Sequence, residues 1–174
     1  MALHHEQTDP QRARRFARLV DEHGLRVLRF LQGMTGDSDS AEDLAQDVFL
    51  KAWAALQDLR EELSAAAWLY VIARNTAASH LAQARRRPSQ PLGEAEREPA
   101  DPARPADETL PLRLAVRQAL DRLEARDREI LLLVGLAGLS AVEVAEMMGI
   151  GVEAARKRWQ RAGHRFRQAM EEAA

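Results

Sequence analysis

The sequence predicts an all-α protein made of two small helical domains joined by a flexible, acidic, proline-rich linker. Three observations predict it. Six of the seven prolines, Pro88, Pro91, Pro99, Pro102, Pro105 and Pro111, fall in one stretch, and proline is poorly tolerated inside helices and central strands. Between Ser89 and Glu108 the acidic residues Glu94, Glu96, Glu98, Asp101, Asp107 and Glu108 stand against only Arg97 and Arg104, with almost nothing apolar to bury. On either side, the chain is rich in Ala, Leu, Arg and Glu at helical spacing and shows no two-residue alternation. The expected division is a first domain over 12–87, a linker over 88–109 and a second domain over 110–170.

Composition narrows the function classes. The 174 residues are 46% hydrophobic and 30% charged, enough for two modest cores. With 25 basic and 27 acidic residues the net charge is -2, so a nucleic-acid partner must be sought in local patches rather than in bulk charge. The chain has no cysteine. That excludes a disulfide framework, a thiolate zinc site, an iron-sulfur cluster and a cysteine nucleophile. The longest nearly unbroken apolar run, Ile130 to Leu139, is shorter than the roughly 20 residues a membrane span needs. Met1 to Gln11 carries His4, His5, Glu6 and Asp9 rather than the basic start and apolar middle of a secretion signal. The expectation is a soluble, cytoplasmic protein.

In the first domain, Phe16, Leu19 and Val20, then Leu25, Leu28, Leu31 and Met34, form two apolar stripes that suggest a helical hairpin broken near Gly24. Asp39-Ser40-Ala41-Glu42 offers a capping-box pattern that starts the next helix. Leu44, Ala45, Val48, Phe49, Ala52, Trp53 and Leu56 make its buried face, leaving Glu42, Asp43, Gln46, Asp47 and Lys51 outside. After a loop from Asp58 to Ser64, a helix over Ala65–Ala84 buries Trp68, Leu69, Ile72 and Leu81 and runs into Arg85-Arg86-Arg87-Pro88. Trp53 and Trp68 are expected in the core.

The second domain begins with helices over Leu114–Leu123 and Arg128–Leu136, the latter opened by Asp127 as a cap. Gly138-Leu139 precedes a second capping box, Ser140 with Glu143, which starts a short helix containing Val144, Ala145 and Met148. Gly149-Ile150-Gly151 breaks that helix, with Ile150 as an apolar plug, and a last helix runs over Val152–Met170. A capped helix, a glycine turn and a basic helix make a helix-turn-helix pattern. The last helix carries Arg156, Lys157, Arg158, Arg161, His164, Arg165 and Arg167, with no acidic residue between Ala154 and Arg167. Such a run is either a solvated basic face or a phosphate-binding one, and the helix and turn before it favour DNA. Trp159 and Phe166 are expected on the core side.

These residues resemble a known family, the sigma-70 type sigma factors of bacterial RNA polymerase, in their small extracytoplasmic-function (ECF) class. Ser40 to Trp53, SAEDLAQDVFLKAW, is similar to the family's AED-L-x-Q-[DE]-x-F-x-K-A segment of region 2, and Trp68 to Asn75, WLYVIARN, to its W-L-[YF]-x-I-A-x-N segment. Leu120 to Leu139 with Val142-Glu143-Val144-Ala145 resembles region 4. The resemblance implies a region 2 helical bundle and a region 4 helix-turn-helix, no catalytic centre, no cofactor and no metal. The implied partners are core RNA polymerase, promoter DNA and an anti-sigma factor.

Residue by residue, the resemblance implies that Asp43, Gln46, Asp47 and Leu50 meet the polymerase clamp. Asn75, with Thr76, Ser79, Arg85 and Arg86 nearest the backbone, would hold an extruded base of the single-stranded downstream promoter element. Arg156, Lys157, Gln160 and Arg161 would meet the double-stranded upstream element. The acidic linker would thread through the polymerase between the two domains. Departures bear on specificity. Glu153-Ala154-Ala155-Arg156-Lys157-Arg158 stands where the family has Gly-Thr-Val-[KR]-Ser-Arg, so the hydroxyls that would meet phosphate are gone. Arg161-Ala162-Gly163 replaces Arg-Ala-Arg, and the loop from Leu59 to Ala67 has Glu61 and Glu62 but no aromatic.

Two other readings follow from the residues. A helical metal-dependent hydrolase would use Glu42, Asp43, Asp47 and His80, and tight stoichiometric metal binding would reveal it. A sigma-like decoy or stand-alone helix-turn-helix regulator would bind DNA or an anti-sigma protein without supporting initiation.

Overall fold

The computed structural model describes residues 9–59, 64–86 and 109–173. Almost all of the linker expected over 88–109 lies outside the described residues. The described residues form seven α-helices: α1 (Pro10–Thr35), α2 (Ser38–Ala55), α3 (Ala65–Arg86), α4 (Leu110–Asp121), α5 (Ala125–Leu131), α6 (Ala141–Met148) and α7 (Val152–Ala173). Among the described residues there is no strand.

The first domain packs α1, α2 and α3 against one another. Asp9 caps α1 by accepting from the Gln11 N–H, and Pro10 stands in the first turn, where its missing donor costs nothing. No break occurs at Gly24: α1 runs unbroken for 26 residues. Leu19, Val27, Phe30 and Leu31 form one buried face through the glycine, and their burial outweighs the ~1 kcal/mol a mid-helix glycine costs. The same continuity turns Leu25 out to solvent, away from the core expected for it. Gly36, at φ 74°, ends α1 in the left-handed conformation and passes its N–H to the Gln32 carbonyl. Asp37, not Asp39, caps α2, accepting from the Ser40 N–H at 2.9 Å, so α2 starts a little before the expected box.

The core between these helices is alanine-lined. Ala41, Ala52, Ala73 and Ala77 are fully buried and bring the backbones close, while Phe30 and Tyr70 meet edge to face at 5.4 Å. Trp53 and Trp68 are half-buried at its margin. Phe16 packs on Trp53 at 5.1 Å, and the Arg12 guanidinium lies 4.5 Å from the Trp53 ring centroid. Tyr70 Oη is buried without a hydrogen-bond partner among the described residues, and burial pushes its pKa up to about 12.

In the second domain α4, α5 and α6 each pack on α7. Pro111 belongs to the first turn of α4 rather than to the linker, and the helix starts at Leu110. The expected helix over Arg128–Leu136 is α5 followed by a π-helical turn over Leu132–Leu136, closed by the Ala137 N–H to the Leu132 carbonyl at 2.9 Å. Asp127 does not cap it. That carboxylate is buried and accepts from Arg165 of α7 at 2.7 Å, while Glu124 occupies the cap position without a side-chain bond.

The Ser140–Glu143 capping box forms as expected. The Ser140 hydroxyl accepts from the Glu143 N–H, and the Glu143 carboxylate accepts from the Ser140 N–H at 2.8 Å. The hydroxyl of Ser140 holds the Glu143 carboxyl below its ordinary pKa, with the Ser140 backbone and Ser64 assisting. Gly149, at φ 65°, ends α6, and Ile150 packs on the core as the expected plug.

Two outcomes follow for stability. Tyr70→Phe removes a buried hydroxyl that gains no bond, so urea unfolding should show equal or higher stability, by up to about 1 kcal/mol. Ser140→Ala should cost about 0.5–2 kcal/mol at neutral pH. Because Glu143 has a lowered folded pKa, the box stabilises fully above the ordinary value of 4.5 and fades as pH falls through the lower folded one. The gap between wild type and Ser140→Ala should therefore close in acid.

Candidate nucleic-acid interface

The outer face of α2 carries Asp43, Gln46, Asp47 and Leu50 at a spacing that aligns them in one exposed stripe. The inward residues Leu44 and Val48 fix this orientation by burying the opposite face. Leu50, at 68% exposure, is the most exposed large hydrophobic side chain among the described residues, an apolar centre within an acidic and polar stripe.

On α3, Asn75, Ser79, Arg85 and Arg86 are exposed, and the two arginines fall in the last turn, where the helix dipole favours cations. Thr76 departs from expectation. It is 5% exposed, yet it lines the cleft between α2 and α3, where its hydroxyl accepts from Lys51 Nζ of α2 at 3.0 Å and holds that lysine in place. Lys51 is the residue missed. It lines an open cleft between α2 and α3 together with Asp47, Ser79, His80, Gln83 and Arg86. Nothing local in the sequence pairs positions 51 and 76; only the packing of α2 on α3 does.

On α7, Arg156, Lys157, Gln160 and Arg161 are all exposed. Arg156 donates to Glu153 Oε1 at 2.6 Å, an exposed pair between neighbouring turns that a phosphate can replace. Arg165 is already committed to Asp127. Trp159 is not a core residue: it is 41% exposed and lines an apolar recess with Ile130, Val134, Leu139 and Val144, flanked by Arg156 and Gln160. Its position three residues beyond Arg156 and one before Gln160 was the signal that it shares their face. Phe166 is half-buried against the core, as expected.

The arrangement thus offers an acidic stripe on α2, a basic and polar edge on α3 and a cationic face on α7. Among the described residues no group of three or more His, Asp or Glu side chains is placed to hold a metal ion, so Glu42, Asp43, Asp47 and His80 do not converge on one site. No helix among the described residues is long and apolar enough to cross a membrane.

Comparison with known proteins finds two family matches in this chain. Residues 19–87 match the family described as sigma-70 region 2, and residues 113–162 match sigma-70 region 4. The chain is 34% identical over 153 residues to a probable RNA polymerase sigma factor, RfaY, of Xanthomonas campestris pv. campestris, a match covering 84% of this chain and 38% of that protein. It is 32% identical over 137 residues to the ECF RNA polymerase sigma factor BldN of Streptomyces coelicolor, covering 77% and 52%. With the RNA polymerase sigma factor SigZ of Bacillus subtilis the identity is 28% over 153 residues, covering 88% and 85%. The chain thus spans 38% of RfaY and about half of BldN. Among solved structures, the sigma factor RpoE of Bartonella quintana, in complex with the anti-sigma factor NepR, superposes with a TM-score of 0.65 at 24% identity over 87% of this chain and 95% of that one. CnrH, in complex with the cytosolic domain of CnrY, also gives 0.65 at 24% identity, over 93% and 91%. These two likenesses establish the shared fold.

A Cβ built on Gly163 meets nothing closer than Arg167 Nη1 at 3.7 Å. Gly163→Ala should therefore stabilise the second domain by roughly 0.5–1 kcal/mol, seen as a higher unfolding midpoint, because α7 is otherwise regular there.

Proposed function

The chain belongs to the sigma-70 family of RNA polymerase sigma factors, and from that membership we propose that it acts as an alternative sigma factor of the ECF class. In this role it binds core RNA polymerase and directs it to a particular set of promoters. It contributes binding and positioning, while strand synthesis belongs to the polymerase. The observation that carries the proposal is the presence, in order, of a region 2 bundle and a region 4 helix-turn-helix, each with an exposed polar or cationic surface.

The α2 stripe of Asp43, Gln46, Asp47 and Leu50 docks on the polymerase, with Leu50 losing the most apolar surface and the carboxylates setting orientation. The exposed edge of α3 takes the downstream element as a single strand. Asn75 supplies donors and an acceptor to an extruded base, and Arg85 and Arg86 hold phosphates. Lys51, held by the Thr76 hydroxyl within the same cleft, joins them as a further cation. The cationic face of α7 enters the major groove of the upstream element. Lys157 and Arg161 neutralise phosphates, Arg156 and Gln160 reach base edges, and the exposed Trp159 adds apolar contact.

An anti-sigma protein is the proposed regulatory partner, as found for the structurally similar sigma factor RpoE of Bartonella quintana. Capture of the tagged protein from unstressed cells should recover it. The proposed site of action is the cytoplasm, where the polymerase is.

Run-off transcription with purified core polymerase and promoter fragments from the source genome tests the proposal. Specific transcripts are expected from the wild type, with each of Arg156→Ala and Asn75→Ala reducing them about tenfold or more, the equivalent of one lost contact of about 1–3 kcal/mol. Absence of specific transcripts despite core binding would overturn initiation activity, and absence of core binding would overturn the sigma role itself.

A further inference from the structure

Glu153 is the one acidic residue on α7 before Glu171. The buried Ala155, Ala162 and Ala169 fix which side of that helix faces the core. Nine residues separate Glu153 from Ala162, which is two and a half turns at 3.6 residues per turn, so Glu153 lies opposite the buried stripe. Lys157, Gln160 and His164 follow it at helical steps of four, three and four, and all four side chains are exposed. Glu153 therefore opens the line of side chains that points furthest from the core, with Arg156 and Arg161 on its flanks.

A carboxylate in a first turn meets the positive end of the helix dipole, which accounts for its being tolerated. Its bond to Arg156 gives it more to do. Arg156 Nη1 donates to Glu153 Oε1 at 2.6 Å, while the side chains of Glu153 and Arg156 remain 73% and 57% exposed. The contact engages Oε1 alone, so Oε2 stays open as an acceptor, and the guanidinium keeps its other N–H groups for a second partner. The two side chains form an exposed unit that presents an acceptor and a set of donors side by side.

In a helix-turn-helix, the N-terminal residues of the second helix meet base edges in the major groove. A carboxylate carried there weakens binding to any base that cannot donate to it. Cytosine offers its 4-amino group and adenine its 6-amino group, whereas guanine and thymine present only acceptors. Adenine sets the acceptor N7 beside its amine, which leaves cytosine as the better match to a carboxylate.

We propose that Glu153 is a specificity-determining residue that selects a cytosine in the upstream element, accepting from the 4-amino group through Oε2 while Arg156, steadied through Oε1, donates to a neighbouring guanine. The inference rests on the functional reading above and deepens it. At the start of this recognition helix, hydroxyls that would meet the backbone are replaced by an acid that meets a base. Guanine and thymine are excluded at the Glu153 position because they set acceptor against acceptor.

The test uses the full-length protein assembled with core polymerase to select duplex promoter fragments randomised over the upstream element. Wild type should enrich cytosine at one position, beside a guanine. In Glu153→Ala the cytosine preference should fall at least tenfold. Glu153→Gln keeps a carbonyl for Arg156 and adds an amide donor, so it should move that position to adenine, whose N7 and amine match a carboxamide, and leave the guanine in place. Arg156→Ala should lose the guanine. Replacing the selected cytosine by pyrimidin-2-one, which lacks the 4-amino group, should weaken wild-type binding about tenfold more than it weakens binding of Glu153→Ala.

Unchanged base preferences in Glu153→Ala would overturn the inference. So would an equal loss at every position with helicity intact by circular dichroism, the mark of a role confined to starting the helix. If the wild type binds core polymerase yet enriches no sequence, the reading of α7 as a base-contacting helix fails and this inference falls with it, whereas enrichment that ignores residue 153 removes this inference alone.

Discussion

A stripe of alanines on α7 sets the second domain. Ala155, Ala162 and Ala169 recur every seventh residue and are all buried, so α7 turns small side chains toward α4, α5 and α6, whose Leu120, Leu123, Ile130 and Val144 share the same core. An alanine stripe is narrow. It spends little of the circumference of α7 on the core and leaves the rest free for Arg156, Lys157, Gln160 and Arg161 to stand in water. The first domain uses the same device, with Ala41 and Ala52 on α2 facing Ala73 and Ala77 on α3. In both, close backbone packing is what allows helices of this length to be charged on most of their surface and still have a dry side.

The arginines divide accordingly into two populations. Arg12 on the Trp53 ring, Arg74 on Glu129 and Arg165 on Asp127 are structural, tied to a ring or a buried carboxylate. Arg85, Arg86, Lys157 and Arg161 remain at the surface. A net charge of -2 therefore says little about binding. What matters is which cations the fold has already neutralised, and the cationic face of α7 survives because its acidic neighbours lie in other helices or, as with Glu153, in an exposed pair that is easily exchanged.

Local signals in the sequence located most of the fold. The proline cluster separated the two helical parts, the Ser140–Glu143 box and Gly149 bounded α6, and the spacing of Asp43, Gln46, Asp47 and Leu50 put them on one face. Errors arose where a distant partner decides. Asp127 looks like a cap by position, but Arg165, far along the chain, takes its carboxylate into the interior. Thr76 sits among exposed polar residues in the motif, yet α2 covers it and Lys51 claims its hydroxyl. Gly24 reads as a break because propensity is local, whereas the buried face running through it is tertiary. The spacing of Trp159 and Phe166 suggests one inward face, yet α7 presents Trp159 at 41% exposure beside Arg156 and Gln160. The acid-base and cationic side chains of the surfaces were legible; the buried pairs that orient them were not.

The π-helical turn over Leu132–Leu136 carries a geometrical corollary. Relative to an α-helix it holds one surplus residue, and each α-helical residue advances the chain by about 100° of rotation. The surplus residue closes α5 with a wider turn immediately before Ala137 and Gly138, which lead into α6. Shortening the turn by one residue would keep the composition of the second domain almost intact while moving the point from which Gly138 and Ser140 lead into α6. The place where α5 hands over to α6 is thus set by a count of residues, which substitution of side chains alone leaves unchanged.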